Sequence, residues 1–424
     1  MKKWITGSMA LMVVGSVVAG CGNNEESGGE DKVLRIAMGS PGEAMIAVWE
    51  EIADEFESAN PGVTVEYTFQ DDDTYQTVGL PNLLSGNNAP DLYFEWAGER
   101  LYNRINDGFA ADITTQLEES GLGDMFAEGS YNGMTVDGKT YMIPTAGDVT
   151  NVIFYNKQVF DELGIGEPQT WAEFLAACEA VKASGMTPIT VGNLDLWTAG
   201  NWIGHLLSRV VGEDAYSNAL QLEEPFQSDD FVQAYTLVQE LWDRGYVNDN
   251  INAISDSESD MLFLNGQAAM HPIGSWLVPT ALEEAPELEM GYFNLPTIEG
   301  GKGDQGSVIG VLNGMVVNAK SSMTDEAIAF MQLYSSDESS AKLSAAGAVP
   351  ITTTGLDRDN TPELSIRLND LLAEAPTVVA PPDTGYSIEV ANALNTATSQ
   401  VIGGAKSPAD ALKQLEETVA PLKK

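Results

Sequence analysis

An α/β fold is predicted, on three observations. The chain has 424 residues, 43% of them hydrophobic, enough to fill the cores of two domains of ordinary size. Its first hundred or so positions alternate strand and helix periodicity in the order βαβαβ, the pattern of a parallel sheet covered by helices. The alternation then continues through most of the chain.

Val33-Leu34-Arg35-Ile36-Ala37-Met38 is the first strand, followed by the turn Gly39-Ser40-Pro41-Gly42. Met45, Trp49, Ile52 and Phe56 then recur at helical spacing, with Glu50, Glu51, Asp54 and Glu55 on the opposite face. Asn60-Pro61-Gly62 stops that helix, and Val63, Val65, Tyr67 and Phe69 alternate as a second strand. The polar loop Asp71-Asp72-Asp73 leads to a helical stretch through Leu80, Leu83 and Leu84, and the apolar run Leu92-Tyr93-Phe94 is a third, buried strand. Val152-Ile153-Phe154-Tyr155 is another strand, and Thr170-Trp171-Ala172-Glu173 is a capping box opening a helix that buries Phe174, Leu175, Cys178 and Val181. A short strand is expected at 188–191, helices at 202–211, 231–242 and 261–264, and extended chain at 268–274, 290–295 and 308–318. Thr324, with Asp325 and Glu326 at the positive end of the dipole, starts a helix through Ile328, Met331 and Leu333. The remainder is mainly helical, most clearly at 391–402 and 408–419.

Setting 20 Lys+Arg against 63 Asp+Glu gives a net charge of −43. Such a field repels phosphates, so nucleic acid is excluded as a partner, as is attachment to anionic lipid through a basic patch. Two His and two Cys are too few for a zinc site or a disulfide scaffold, and no metal or cofactor is expected. At the amino terminus Lys2 and Lys3 precede an uncharged stretch, residues 4–19, too short to span a bilayer comfortably. Residues 1–20 read as a secretion signal, and Val18-Ala19-Gly20-Cys21 resembles the lipobox of bacterial lipoproteins. That resemblance implies a lipid (palmitate) on Cys21, holding the protein at the extracytoplasmic face of the cell membrane. Residues 21–30 are then a polar, Gly-rich tether, and Cys178 a lone buried thiol.

Further along, Pro144-Thr145-Ala146-Gly147-Asp148-Val149-Thr150-Asn151-Val152-Ile153-Phe154-Tyr155-Asn156-Lys157 resembles the signature region of the family 1 extracellular solute-binding proteins, the binding subunits of ABC importers for sugars. Gly266-Gln267-Ala268-Ala269-Met270 with Gly274-Ser275-Trp276 is similar to the family's small-residue strand and Gly-x-Trp. Leu295-Pro296-Thr297, Gly310-Val311-Leu312 and Gly347-Ala348-Val349-Pro350 continue the match in order, although Gly147 departs from the usual small polar or branched residue. The resemblance implies a type II periplasmic-binding-protein-like fold: two α/β lobes, each a mainly parallel sheet flanked by helices, with solute in the cleft between them. It places residues 31–148 with 296–336 in an N-terminal lobe and 149–295 with 337–424 in a C-terminal lobe, with crossings near Asp148, Leu295 and Ser336. The implied partners are a carbohydrate and the transmembrane subunits of an ABC permease, with the protein acting as a monomer.

Pyranose rings pack their C–H faces on aromatic planes, so the tryptophans test this reading. Trp4 leaves with the signal; Trp49, Trp171 and Trp242 fall on or beside helical apolar stripes and are expected in the core. Trp96, Trp197, Trp202 and Trp276 lie near strand ends, where open α/β sheets bind ligands, and Trp276 matches the family's Gly-x-Trp. Glu95, at the end of a Pro-Asp strand resembling the family's, and Asp148 are the carboxylates expected to accept from sugar hydroxyls; Tyr386 and Glu43 are further candidates. A cationic amine or osmolyte on the same fold is the alternative, because aromatic faces also hold cations. A secreted glycoside hydrolase needs two carboxylates about 5–10 Å apart, which no motif here specifies. His205 and His271 have no Ser or Cys partner in a nucleophile motif, and neither Asp71-Asp72-Asp73 nor Asp256-Ser257-Glu258-Ser259-Asp260 has EF-hand spacing. No catalytic residue is therefore assigned.

So acidic a surface suits a saline or alkaline medium. Raising NaCl from 0.01 M to 1 M shortens the Debye length from about 30 Å to about 3 Å. The urea midpoint of unfolding is expected to rise over that range, and a midpoint indifferent to salt would contradict the habitat reading.

Overall fold

The computed structural model describes residues 32–71, 74–352 and 358–423. The signal, Cys21 and the tether lie outside the described residues, as do Asp72 and Asp73. In chain order the strands are β1 (Lys32–Gly39), β2 (Val63–Gln70), β3 (Leu92–Trp96), β4 (Thr135–Val136), β5 (Lys139–Thr140), β6 (Ile143–Val149), β7 (Val152–Asn156), β8 (Thr187–Ile189), β9 (Ala268–Ile273), β10 (Met290–Phe293), β11 (Val308–Val317) and β12 (Val378–Val379).

The first sheet has the order β12-β11-β3-β1-β2, with β6 also paired to β11. Its β1, β2 and β3 are parallel, as the βαβαβ order requires, while β11 runs antiparallel to β3 and to β6. Successive residues of each strand enter opposite layers. Leu34, Ile36, Leu92, Met315 and Val317 pack with Met45, Trp49, Ile52 and Phe56 of the helix Glu43–Ala59, whereas Ala37, Tyr93 and Val316 pack on the other side with Tyr75, Leu80 and Leu84. The second sheet, β10-β7-β9-β8, is mixed: β7 pairs antiparallel with β10 and β9, and only β8–β9 is parallel. Its outer layer is the largest cluster, in which Cys178, Trp202 and Tyr235 pack with Leu394, Val401 and Leu415 of the C-terminal helices Ile388–Ile402 and Pro408–Val419.

Local signals act where they were read. Thr170 Oγ1 accepts from Glu173 N while the Glu173 carboxylate accepts from Thr170 N, so the helix Trp171–Ala183 starts on a complete capping box. A second box, Ser255 with Glu258, turns the stretch Asp256 to Asp260 into the first turns of the helix Asp256–Leu264, with those acids at the favourable dipole end rather than in an oxygen-rich loop.

The assignment of 337–424 to the C-terminal lobe needs correction. Leu343, with the partly buried Ala346, Ala348 and Ile351, packs in the cluster of Trp49, Phe56 and Phe330 on the first sheet. The helix Glu363–Glu374 lies against β6 and β11, its Leu368 meeting Val149, Phe154 and Tyr292. The chain joins the second lobe for good only after β12, so the third crossing runs through residues 380–387. Ser336 caps the helix Asp337–Ala345 by accepting from Ser339 N, a local start signal that says nothing about which lobe the helix covers.

The β6–β11 register shifts between Asn313 and Gly314. A methyl group on Gly314 would collide with the Ile143 carbonyl oxygen across the ladder. Gly314→Ala is therefore expected to cost about 1–3 kcal/mol in urea unfolding; wild-type stability in that variant would contradict the register.

Candidate functional site

A cleft of about 640 Å³ lies between the two sheets, within the usual range for a small-molecule site. The carboxyl ends of the parallel strands open into it through Met38, Gly39 and Trp96, with Asp71 just beyond β2. The second lobe contributes Trp197, Asn201, Asp260 and Trp276, strands β6 and β11 contribute Asp148 and Asn313, and the helix Pro382–Gly385 contributes Asp383.

Trp276 stands just before the helix Leu277–Glu284, and its ring centroid is 5.9 Å from that of Trp197, with the planes at 53°. The neighbouring glycine has a reason: a side chain on Gly274 would occupy the place of the Trp276 six-membered ring. Trp96, on the first lobe, is held edge-on by Phe94, with centroids 4.8 Å apart. The Arg100 guanidinium lies 4.9 Å from the Trp96 ring centroid and donates from Nη2 to Gln76 Oε1 at 3.0 Å.

Between these walls Asp148 ties the lobes together. Its Oδ1 accepts from Ser275 Oγ at 2.8 Å, on the second lobe, and its Oδ2 from Asn313 Nδ2 at 2.6 Å, on β11. Asn313 Oδ1 in turn accepts from Thr145 Oγ1 at 3.0 Å. Burial raises the Asp148 pKa above the ordinary carboxylate value, and the bonds from Ser275 and Asn313 oppose that rise. All four polar side chains line the cleft.

Of the residues singled out from the sequence, Trp276, Trp197, Trp96 and Asp148 are brought together here, and four are not. Glu95 is 0% exposed and accepts from Arg104 Nε at 2.7 Å. The strand extends through Trp96, so the two-residue period sends Glu95 and Trp96 to opposite faces. Trp202 is 1% exposed in the core of the second lobe: five positions after Trp197 on one helix, it points about 140° away. Tyr386 packs edge-on against Tyr216 at 6.0 Å beside that core, and Glu43 is an exposed first-turn residue of its helix. Neither lines the cleft, although Gly42 does.

The residues missed from the sequence are Asn201, Ser275, Asn313 and Asp383. Asn201 was legible, since it follows Trp197 by four positions and shares its helix face. The other three had no local signal. His205 and His271 are buried, as expected of structural histidines: His205 Nε2 lies 3.1 Å from the Ser307 carbonyl oxygen, and His271 bridges Thr190 O at 2.9 Å and Asp260 Oδ1 at 2.7 Å. Among the described residues no cluster of three or more His, Cys, Asp or Glu is arranged to hold a metal ion, and no helix is long and apolar enough to cross a membrane.

Residues 40–341 match the bacterial extracellular solute-binding protein family. The multiple sugar-binding protein of Streptococcus mutans is 26% identical over 367 residues, which are 84% of this chain and 85% of that protein. A structure solved in work on xylan utilisation by the thermophilic bacterium Caldanaerobius polysaccharolyticus superposes with a TM-score of 0.84 at 25% identity, covering 91% of this chain and 100% of that one. A chitin oligosaccharide binding protein does so with a TM-score of 0.84 at 25% identity, over 93% and 99% of the two chains. With a cleft between two α/β lobes and a family match over most of its length, the chain belongs to the bacterial extracellular solute-binding proteins.

Proposed function

We propose that the protein is the extracytoplasmic binding subunit of an ABC importer, capturing a neutral sugar, an oligosaccharide rather than a monosaccharide, and presenting it to the permease. The observation that carries this reading is the pairing of indoles on opposite walls of one cleft, Trp197 and Trp276 against Trp96, around the hydrogen-bonding set Asp148, Asn313 and Ser275. Flat apolar ring faces and convergent polar groups are what a pyranose needs. Each stacked ring contributes about 0.5–1.5 kcal/mol beyond its buried area. Hydrogen bonds to charged groups contribute about 1.5–3 kcal/mol. Together with that buried area, two or three of each are enough for the roughly 8 kcal/mol of micromolar binding.

In this reading the lobes are residues 31–148 with 308–352 and residues 149–307 with 388–424, since Leu295 and Ile298 still pack in the second-lobe core and Thr297 N donates to Gln169 O, and the segment between 352 and 388 carries the third crossing. The ligand favours the closed state because it touches both lobes there and one lobe when open, and the closed shape is what the permease reads. The protein binds as a monomer, catalyses nothing, and is held at the membrane by the lipid on Cys21. Sugar specificity is supported by the names of the Streptococcus mutans protein, 26% identical to this chain, and of the chitin oligosaccharide binding protein, which superposes on it at 25% identity.

A second reading, a cationic amine or osmolyte, draws on the carboxylates of Asp71, Asp148, Asp256, Asp260 and Asp383 around the cleft. Thermal-shift screening of neutral oligosaccharides against amines separates the two. Stabilisation by sugars alone is expected. Trp276→Ala is expected to weaken binding of the best sugar about tenfold, the loss of one to two kcal/mol of stacking and burial. An unchanged calorimetric Kd would remove Trp276 from the site.

A further inference from the structure

Asp383 is a carboxylate of the cleft outside the network around Asp148, and unlike Asp71, Asp256 and Asp260 it has a buried carboxyl oxygen with no protein partner. Asp383 lies on the third crossing, in the short helix Pro382–Gly385, and lines the cleft while being only 9% exposed. The Asn201 side chain, from the helix Trp197–Val211, stands beside its carboxyl, yet Asp383 Oδ1 has no partner in the protein. Asn201 Oδ1 and Thr384 Oγ1, both on residues lining the same cleft, are buried without partners too. The nearby cation does not close this gap, because Arg100 Nε donates to the Asp383 backbone carbonyl at 3.3 Å and Nη2 to Gln76. Arg100 thereby steadies the crossing through the backbone and leaves Asp383 Oδ1 without a donor.

Buried polar atoms without partners are costly, and where they line a cleft a bound solute can supply the missing partner. These acceptors need donors, and an uncharged sugar carries donors as hydroxyls. We propose that Asp383 and Asn201 form a hydroxyl-recognition subsite at the third crossing, in which hydroxyls of one sugar ring donate to Asp383 Oδ1 and Asn201 Oδ1. This deepens the sugar reading above and rests on it. Trp96 lines the cleft on the first lobe, so a ring held here touches that lobe, the second lobe through Asn201, and the crossing between them. Burial raises the Asp383 pKa, with Arg100 and Asn201 opposing it.

The test is calorimetry of the full mature chain and its Asp383→Asn variant with a panel of neutral oligosaccharides and deoxy analogues of the best binder, alongside thermal melts without ligand. Asparagine keeps the shape and removes the charge. The expected result is a loss of affinity of about tenfold or more, with the ligand-free Tm equal to or above wild type because a buried, half-partnered carboxylate has gone. One deoxy analogue should bind both proteins equally. Unchanged affinity for every sugar that wild type binds would overturn the subsite and leave the sugar reading standing, as would an affinity loss matched by a fall in ligand-free Tm. Wild type binding no sugar at all would overturn the sugar reading and the subsite with it. Asp383→Ser carries the same comparison should Asp383→Asn not fold.

Discussion

Every passage of the chain between the lobes is tied to one strand. β6, which leads into the second lobe, pairs along one edge of β11; the return from β10 passes through residues 294–307, which still bond to the second lobe, and enters β11 at Val308; and β12, from which the chain leaves for the last time, pairs with the start of β11. On its other edge β11 joins β3 and so the rest of the first sheet. A backbone ladder resists shear along its length, and bending is left to the short residues beyond it, such as Thr150 and Asn151. Thr150 N still donates to Ile309 O at 3.0 Å, so the first crossing is anchored up to the point where it leaves the sheet.

The same strand explains why the cleft is polar at its floor and aromatic at its walls. At Asn313 it faces Trp96 on one side and Ala146 on the other, and the register shift beside Gly314 lets Asn313 reach Asp148. Asp148 therefore spans first sheet and second lobe through two directed hydrogen bonds, which hold only in a narrow range of lobe positions. The aromatic walls come from the ends of elements. Trp276 precedes a helix, Trp197 begins one, and Trp96 ends a strand. Rings at such termini expose a face, whereas Trp202, within a turn and a half of Trp197, is swallowed by packing.

Much of this was written locally. The strands and helices follow from apolar periodicity and from stop signals such as Asn60-Pro61-Gly62, and the capping box at Thr170 is read correctly from four letters. Where the reading of the site went astray, a local rule had been passed over or none existed. Glu95 and Trp96 are adjacent on a strand, so both cannot face one cleft; Trp197 and Trp202 are wrongly phased to share a helix face, while Asn201 is rightly phased. Asp383 sits three residues before Tyr386, and only the path of the crossing decides that the acid meets the cleft and the ring meets the core.

The sequence by itself determined the element types, an acidic α/β chain with a family signature, and the aromatic residues from which a cleft is built, because periodicity, charge and indole content are properties of neighbours along the chain. Tertiary structure alone decided that residues 337–352 return to the first sheet, that the second sheet is mixed, and that Ser275, Asn313 and Asp148 meet across 165 positions of sequence. The physical reason is that a hydrogen bond or a packed face between distant segments is selected by the summed burial of whole layers, and no residue carries that sum in its own neighbourhood.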